Sequence, residues 1–293
     1  MVSSSSELEL EYLAPCTHEE ADYRMILHIS DLVRNNFTKV RVRSNDTDVL
    51  AICTAYFHEI PGLEELWLAF GTSKSFRLIP VHIIAMQLGA DKCKALLGFH
   101  ALTGCDSVSA LFGIGKKTAW TMWMAFPKFT EAFLFLSNKS DYITNEIMAL
   151  TEEFVARLYC CSVTPEHVTT VKRLRYELFH FGCKDFNDLP PTLNALQLHT
   201  RRAAYTAGHI WGQALIKAPT QASPALWGYK LQEGNWQPEW TTIPTISKKH
   251  LTVCRCKMAC KPPCACATKQ VCCTSLCTCH GECYGQPHQT KTL

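Results

Sequence analysis

The feature that most limits what this chain can fold into is a run of cysteines near its C-terminus. Ten of its 17 cysteines fall between Cys254 and Cys283. They read Cys254-Arg-Cys256-Lys-Met-Ala-Cys260-Lys-Pro-Pro-Cys264-Ala-Cys266, then Cys272, Cys273, Cys277, Cys279 and Cys283. That is too dense for a hydrocarbon core and too regular for chance. A single tetrahedral zinc takes four ligands, so this many thiols imply several ions with shared ligands. A disulfide framework would require an oxidising compartment. The seven other cysteines are scattered among apolar residues, the pattern of free thiols in a reducing interior. The first eleven residues are rich in serine and glutamate and lack the apolar segment of a secretory signal. No apolar run approaches membrane-spanning length. The expected compartment is the nucleus or the cytoplasm, the nucleus being favoured.

The chain has 293 residues, 47% hydrophobic and 19% charged, so most of it must bury a core. A net charge of +3 is too small to argue for nucleic acid by itself. After a flexible lead (residues 1–14), Thr17 and Glu20 form a capping-box pattern ahead of Met25, Ile26, Ile29 and Val33 at helical spacing. Lys39–Arg43 alternates as a strand, and Glu65–Phe70 and Phe76–Pro80 read as two more. Val81–Leu88, Asp91–Leu97, Asn145–Tyr159 and Pro165–Phe181 read as helices, and Pro190–Lys217 carries another. Phe126, Phe129, Phe133 and Phe135 make an aromatic stripe that belongs in a core. Strands alternating with helices predict an α/β domain with a largely parallel sheet. From Ala218 the prolines and Trp227, Trp236 and Trp240 show no period, which predicts an extended connector over 218–249 whose tryptophans dock on the preceding domain.

Three acidic motifs lie along this order. Glu20 and Asp22 stand at the first helix start, where acids also suit the helix dipole. Asp46 and Asp48 follow the first strand, where open α/β sheets place ligands and where Asx turns are also common. Asp106 follows Gly104 and Cys105, seven residues before the turn Gly113-Ile114-Gly115 and the lysines Lys116 and Lys117. Glycines and lysines at a helix start can hold a phosphate, although such turns also open ordinary helices. Oxygen-only donors of this kind suit magnesium or manganese.

In their order and spacing these motifs resemble the flap-endonuclease branch of the PIN-like nuclease superfamily. Glu20-Ala21-Asp22 stands where that family reads EAE, Asp46-Thr47-Asp48 matches its DxD, and Gly104-Cys105-Asp106 with Gly113–Lys117 matches its third motif and lysine turn. The resemblance covers roughly Pro15–Phe126. It implies two divalent ions, Mg or Mn, held by Glu20, Asp22, Asp46, Asp48 and Asp106, with Gly113, Gly115, Lys116 and Lys117 contacting nucleic acid. The family's opening strand and its aspartate have no counterpart ahead of Glu19. The expectation is therefore a fragment of a longer protein, or a domain without catalysis.

The cysteine run resembles the tesmin-type CXC domain, which binds three zinc ions through nine cysteines. The matching positions are Cys254, Cys256, Cys260, Cys264, Cys266, Cys273, Cys277, Cys279 and Cys283, with Cys272 left over. Pro263 stands where DNA-binding members carry tyrosine, and there is one repeat where they usually have two. The combination resembles a group of uncharacterised animal proteins, some associated with mobile elements. The expected organisation is a PIN-like domain (15–140), a helical extension (141–217), the connector, a zinc-cluster module (250–285) and a tail (286–293). The expected function is association with nucleic acid, DNA in preference to RNA, with Mg- or Mn-dependent nuclease chemistry if the site is complete. The competing expectation is a non-catalytic chromatin or protein-interaction module built on the cysteine cluster. No membrane contact is expected.

Overall fold

The strand Lys39–Arg43 (β1) shows how directly the side-chain pattern becomes structure. Val40 and Val42 are buried while Lys39, Arg41 and Arg43 face solvent, the two-residue period of a strand with one covered face. In the computed structural model the described residues are 13, 17–18, 20–160, 170–180, 188–241, 252–257, 264–268, 273 and 277–279. They divide into two compact units, 1–240 and 241–293.

The first unit is mixed α/β. Helix α1 (Ala21–Arg34) leads to β1, α2 (Thr47–Tyr56), β2 (Glu65–Phe70), β3 (Arg77–Pro80), α3 (Val81–Leu88) and α4 (Ala90–Leu102). Then come α5 (Lys116–Ala125), α6 (Phe129–Leu136), α7 (Asn145–Tyr159), α8 (Val171–His180) and α9 (Leu193–Ala204). The sheet has the order β1-β2-β3, with β1 and β2 parallel and β2 and β3 antiparallel. A largely parallel sheet was the expectation, and loop length explains the difference. A parallel return needs a crossover of about a dozen residues or more. Residues 44–64 carry one, with α2 inside it, but only residues 71–76 join β2 to β3.

Helices α2 and α4 form the centre. From Asp48 to Tyr56 every residue of α2 but Leu50 is buried, and α4 is buried from Leu97 through Leu102. Gly98 lets α4 lie against α6, because a Cβ there would sit 2.3 Å from the Phe133 carbonyl oxygen. The aromatic stripe is core as expected, Phe129 and Phe133 packing edge-on against Phe154 of α7. One hydrophobic cluster runs from Tyr23 to Ala214, so the helices beyond residue 140 build the same core as the sheet. Tyr56 at the end of α2 ties the two parts together, donating to the Trp211 carbonyl at 2.8 Å and accepting from the Ala214 amide at 3.2 Å.

Two local expectations change. Helix α1 begins at Ala21 rather than Thr17, and Glu20 occupies its N-cap position without a side-chain capping bond. The His18 ring instead packs on Tyr23, 4.6 Å between centroids. Within the expected connector a hairpin forms from β4 (Tyr229–Gln232) and β5 (Asn235–Pro238), turning through Glu233 and Gly234 at positive φ. Buried Arg202 clamps its base, donating to the carbonyls of Gly228 and Glu239 at 3.1 Å each. Trp227 docks in the core as expected, whereas Trp236 and Trp240 are exposed. No helix among the described residues is long and apolar enough to cross a membrane.

Among the described residues of the second unit, sulfur takes the place of hydrocarbon in the interior. Cys254, Cys264, Cys266, Cys273, Cys277 and Cys279 are buried together, and a short helix, α10 (Ala265–Thr268), carries Cys266.

Candidate functional site

The parallel crossover fixes the first acidic group. Asp46 is the N-cap of α2, its Oδ1 accepting from the Asp48 amide at 2.8 Å, so the Asx turn weighed from sequence is formed. Asp48, one turn-position further in, is buried. Its Oδ1 meets Nε2 of His100 at 2.7 Å, and His100 is itself buried in the last turn of α4. Asp22 lies in the first turn of α1. Asp106 is exposed at the tip of a tight turn in which the Cys105 amide donates to the Val108 carbonyl at 2.9 Å. Gly104 is required at the root of that turn, with φ +108 and Ala110 Cα only 2.6 Å from where a Cβ would be.

These acids share one electrostatic neighbourhood. Partial burial, and then the negative charges of Asp46, Asp48 and Asp106, push the Asp22 carboxyl above its ordinary value. Three carboxylates from two other segments thus lie within electrostatic reach of Asp22. Glu20 sits exposed at the head of the same helix. The convergence is loose: among the described residues, only cysteines bring three or more potential ligand atoms within 4.8 Å of one another.

The lysine turn behaves differently from a simple phosphate cradle. Gly115 is the N-cap of α5, and Lys116 turns inward. Its Nζ donates to the His100 carbonyl at 3.0 Å, to Thr103 Oγ1 at 3.1 Å and to the Gly104 carbonyl. Burial of that end lowers the ammonium from its ordinary value, opposed by Cys105 and Asp48. Lys116 therefore ties the turn carrying Asp106 to the end of α4. Lys117, Gly113 and Gly115 are exposed.

His100 is the residue that sequence reasoning passed over. Its signal was one imidazole in the apolar run Phe99-His100-Ala101-Leu102, a place where a buried ring needs a polar partner.

The second unit holds a different donor set. Cys254, Cys273, Cys277 and Cys279 form one group of close sulfurs, and Cys254, Cys264 and Cys266 a second, so Cys254 belongs to both. The contacts are Cys254–Cys273 at 3.6 Å, Cys254–Cys279 at 3.9 Å and Cys266–Cys277 at 3.7 Å. Disulfide sulfurs lie about 2.05 Å apart. Four thiolates at about 2.3 Å from a tetrahedral ion lie about 3.8 Å apart. The spacing is that of metal ligands, consistent with zinc. Burial and the neighbouring Cys277 hold the Cys266 thiol well above its ordinary value, so an ion must supply the compensating charge if these groups ionise. Cys256 packs half-buried against the group. Cys260 and Cys283, and the surplus Cys272, lie outside the described residues.

Comparison with the profiles of known protein families, with curated proteins and with solved structures finds no match to this chain.

Proposed function

We propose that the first unit is a divalent-metal-dependent phosphodiesterase domain of the PIN-like kind, acting on nucleic acid, and that the second is a CXC-type zinc cluster. What supports the first half is that Asp46, Asp48 and Asp106 lie within electrostatic reach of Asp22, whose carboxyl is raised first by burial and then by their charges. Carboxylate oxygens gathered in one neighbourhood fit a hard cation such as magnesium or manganese. Asp22, Asp46 and Asp106 are the donors best placed to hold it, because each keeps some exposure. When bound, such an ion activates water and stabilises the charge developing on a phosphodiester. The chain's own part is positional. His100 holds Asp48, Asp46 caps α2, and Lys116 fixes the Asp106 turn, leaving exposed Lys117 to meet a phosphate. The zinc half rests on the two sulfur groups that share Cys254.

A second reading has its own observation. Asp48 is already satisfied by His100, and no three carboxylates lie within ligand distance of one another among the described residues. That arrangement suits a binding module that has kept the fold without the chemistry.

The experiment is manganese-dependent cleavage of single-stranded and branched DNA by the folded, zinc-loaded chain. The control is Asp46→Asn/Asp106→Asn, which keeps the α2 cap that alanine would remove. Cleavage by the wild type and none by the variant is the expected result. No cleavage, together with no manganese-induced rise in Tm, would leave the binding module.

A further inference from the structure

The outward face of the sheet carries a feature that the carboxylate site does not use. Alternate residues Lys39, Arg41 and Arg43 point away from the core and are exposed, and Phe37, two residues ahead of the strand, is exposed as well. In register beside Arg43 lie Ala69 and then Leu78, and Phe76 has the same parity as Leu78. The Arg43 guanidinium lies over the Phe76 ring at 5.8 Å, and Phe37, Phe76 and Leu78 are 58%, 47% and 45% exposed. Lys74, in the turn before β3, adds a cation at the edge of this face, whereas Arg77, of opposite parity to Leu78, lies over the Phe70 ring on the other side. Of these cations, Lys39 pairs with Glu65 at 2.5 Å. Arg41, Arg43 and Lys74 have no ion pair among the described residues. On this face Lys39, Arg41 and Arg43 outnumber the in-register acid Glu65, which pairs with Lys39.

We propose that this face binds single-stranded nucleic acid, Arg41 and Arg43 lying along its phosphates and Phe76 stacking on a base. Deepening the function proposed above, the inference names its substrate class. Charge complementarity points to a polyanion. Outward side chains on a strand repeat about every 6.7 Å, comparable with one nucleotide of an extended single strand. Exposed aromatics beside cations are what unpaired bases use, whereas a duplex hides its base faces and offers only phosphates. Location agrees, because β1 ends three residues before Asp46, so a strand lying along β1 is delivered to the carboxylates at its C-terminal end.

The test is fluorescence anisotropy of labelled oligo-dT on the full, zinc-loaded chain carrying Asp46→Asn/Asp106→Asn, so that binding is read without cleavage. Added to that background, Arg41→Glu/Arg43→Glu should weaken binding at least tenfold, and Phe76→Ala about tenfold. The slope of log K against log salt should shrink by about 1.4 for two lost phosphate contacts. All three positions are exposed, and unchanged circular dichroism checks the fold. Undiminished oligo-dT binding in both variants overturns the proposal. So does tighter binding to a blunt duplex, to polyglutamate or to anionic vesicles that the same substitutions abolish. If the nuclease reading alone fails, manganese cleavage is absent while oligo-dT binding still depends on Arg41 and Arg43. If this inference alone fails, cleavage persists and binding ignores them.

Discussion

Replacing His100 by alanine tests how the site is held. His100 Nε2 and Asp48 Oδ1 are 2.7 Å apart, and both residues are 6% exposed. Removing the imidazole leaves a carboxylate in the core without its partner. Breaking a buried pair in this way costs about 3–5 kcal/mol, because the remaining charge keeps its desolvation penalty. In a unit of this size each kcal/mol lowers Tm by about 2–4 °C, so the loss should be about 6–20 °C. Urea unfolding followed by circular dichroism gives the free energy. A double-mutant cycle with Asp48→Asn separates the pair from the cavity that alanine leaves. The coupling should be at least about 1.5 kcal/mol, the lower range for a charged hydrogen bond. Saturating manganese should restore part of the loss in His100→Ala, since a cation at the carboxylates replaces the missing partner. A loss below about 1 kcal/mol, or strictly additive effects in the cycle, would refute the reasoning.

Three further outcomes follow from the geometry. Because the folded Asp22 carboxyl is raised, its contribution to stability is full below the ordinary value of 3.8 and is lost as pH rises through the folded value. Asp22→Asn should therefore raise Tm at pH 7 and lose that advantage as pH falls below 3.8; an equal shift at both ends of a pH series of melting curves would show that charge is not the cause. Gly98→Ala should lower the stability measured in urea by about 1–3 kcal/mol despite alanine's better helix propensity, since α4 and α6 must part to admit a Cβ 2.3 Å from the Phe133 oxygen. Cys254→Ser should release more zinc than Cys264→Ser in a colorimetric chelator assay, because Cys254 belongs to both sulfur groups and Cys264 to one; equal release would mean the groups are independent.

How much of this was legible in the sequence follows the range of the interactions involved. The bounds of β1, β2, α3 and α7 match those read from sequence, because each is set by its own period and by the residues that flank it. The direction of β3 was available too, in the shortness of residues 71–76, but a strand pattern alone does not reveal it. The hairpin of β4 and β5 was hidden because its strands are four residues each and its anchor, Arg202, lies on a distant helix. Distance in sequence also hid the Asp48–His100 bond, whose partners are 52 residues apart. For Lys116 the sequence showed a cation at a glycine turn but not its direction, which depends on carbonyls at the end of α4.

The bland explanation of the acids is that each does local work, and for Asp46 it is correct, since that side chain caps α2. It does not extend to the group. A cap needs one carboxylate at a helix start, and nothing about capping asks α1, α2 and the turn after α4 to bring theirs together. The repulsion is felt, because the three others add to the rise that burial chiefly gives the Asp22 carboxyl. Yet the surroundings hold the acids in place rather than letting them part. Lys116 ties the Asp106 turn at Gly104 to His100 and Thr103 at the end of α4, Ser107 bonds Thr206 at 3.1 Å from the other side, and His100 fixes Asp48. Residues that lower stability while being braced from several elements are the pattern of a site kept for what it binds. A cation is the simplest ligand that relieves the strain, which is why manganese should raise the Tm of the wild type and leave that of Asp46→Asn/Asp106→Asn unmoved.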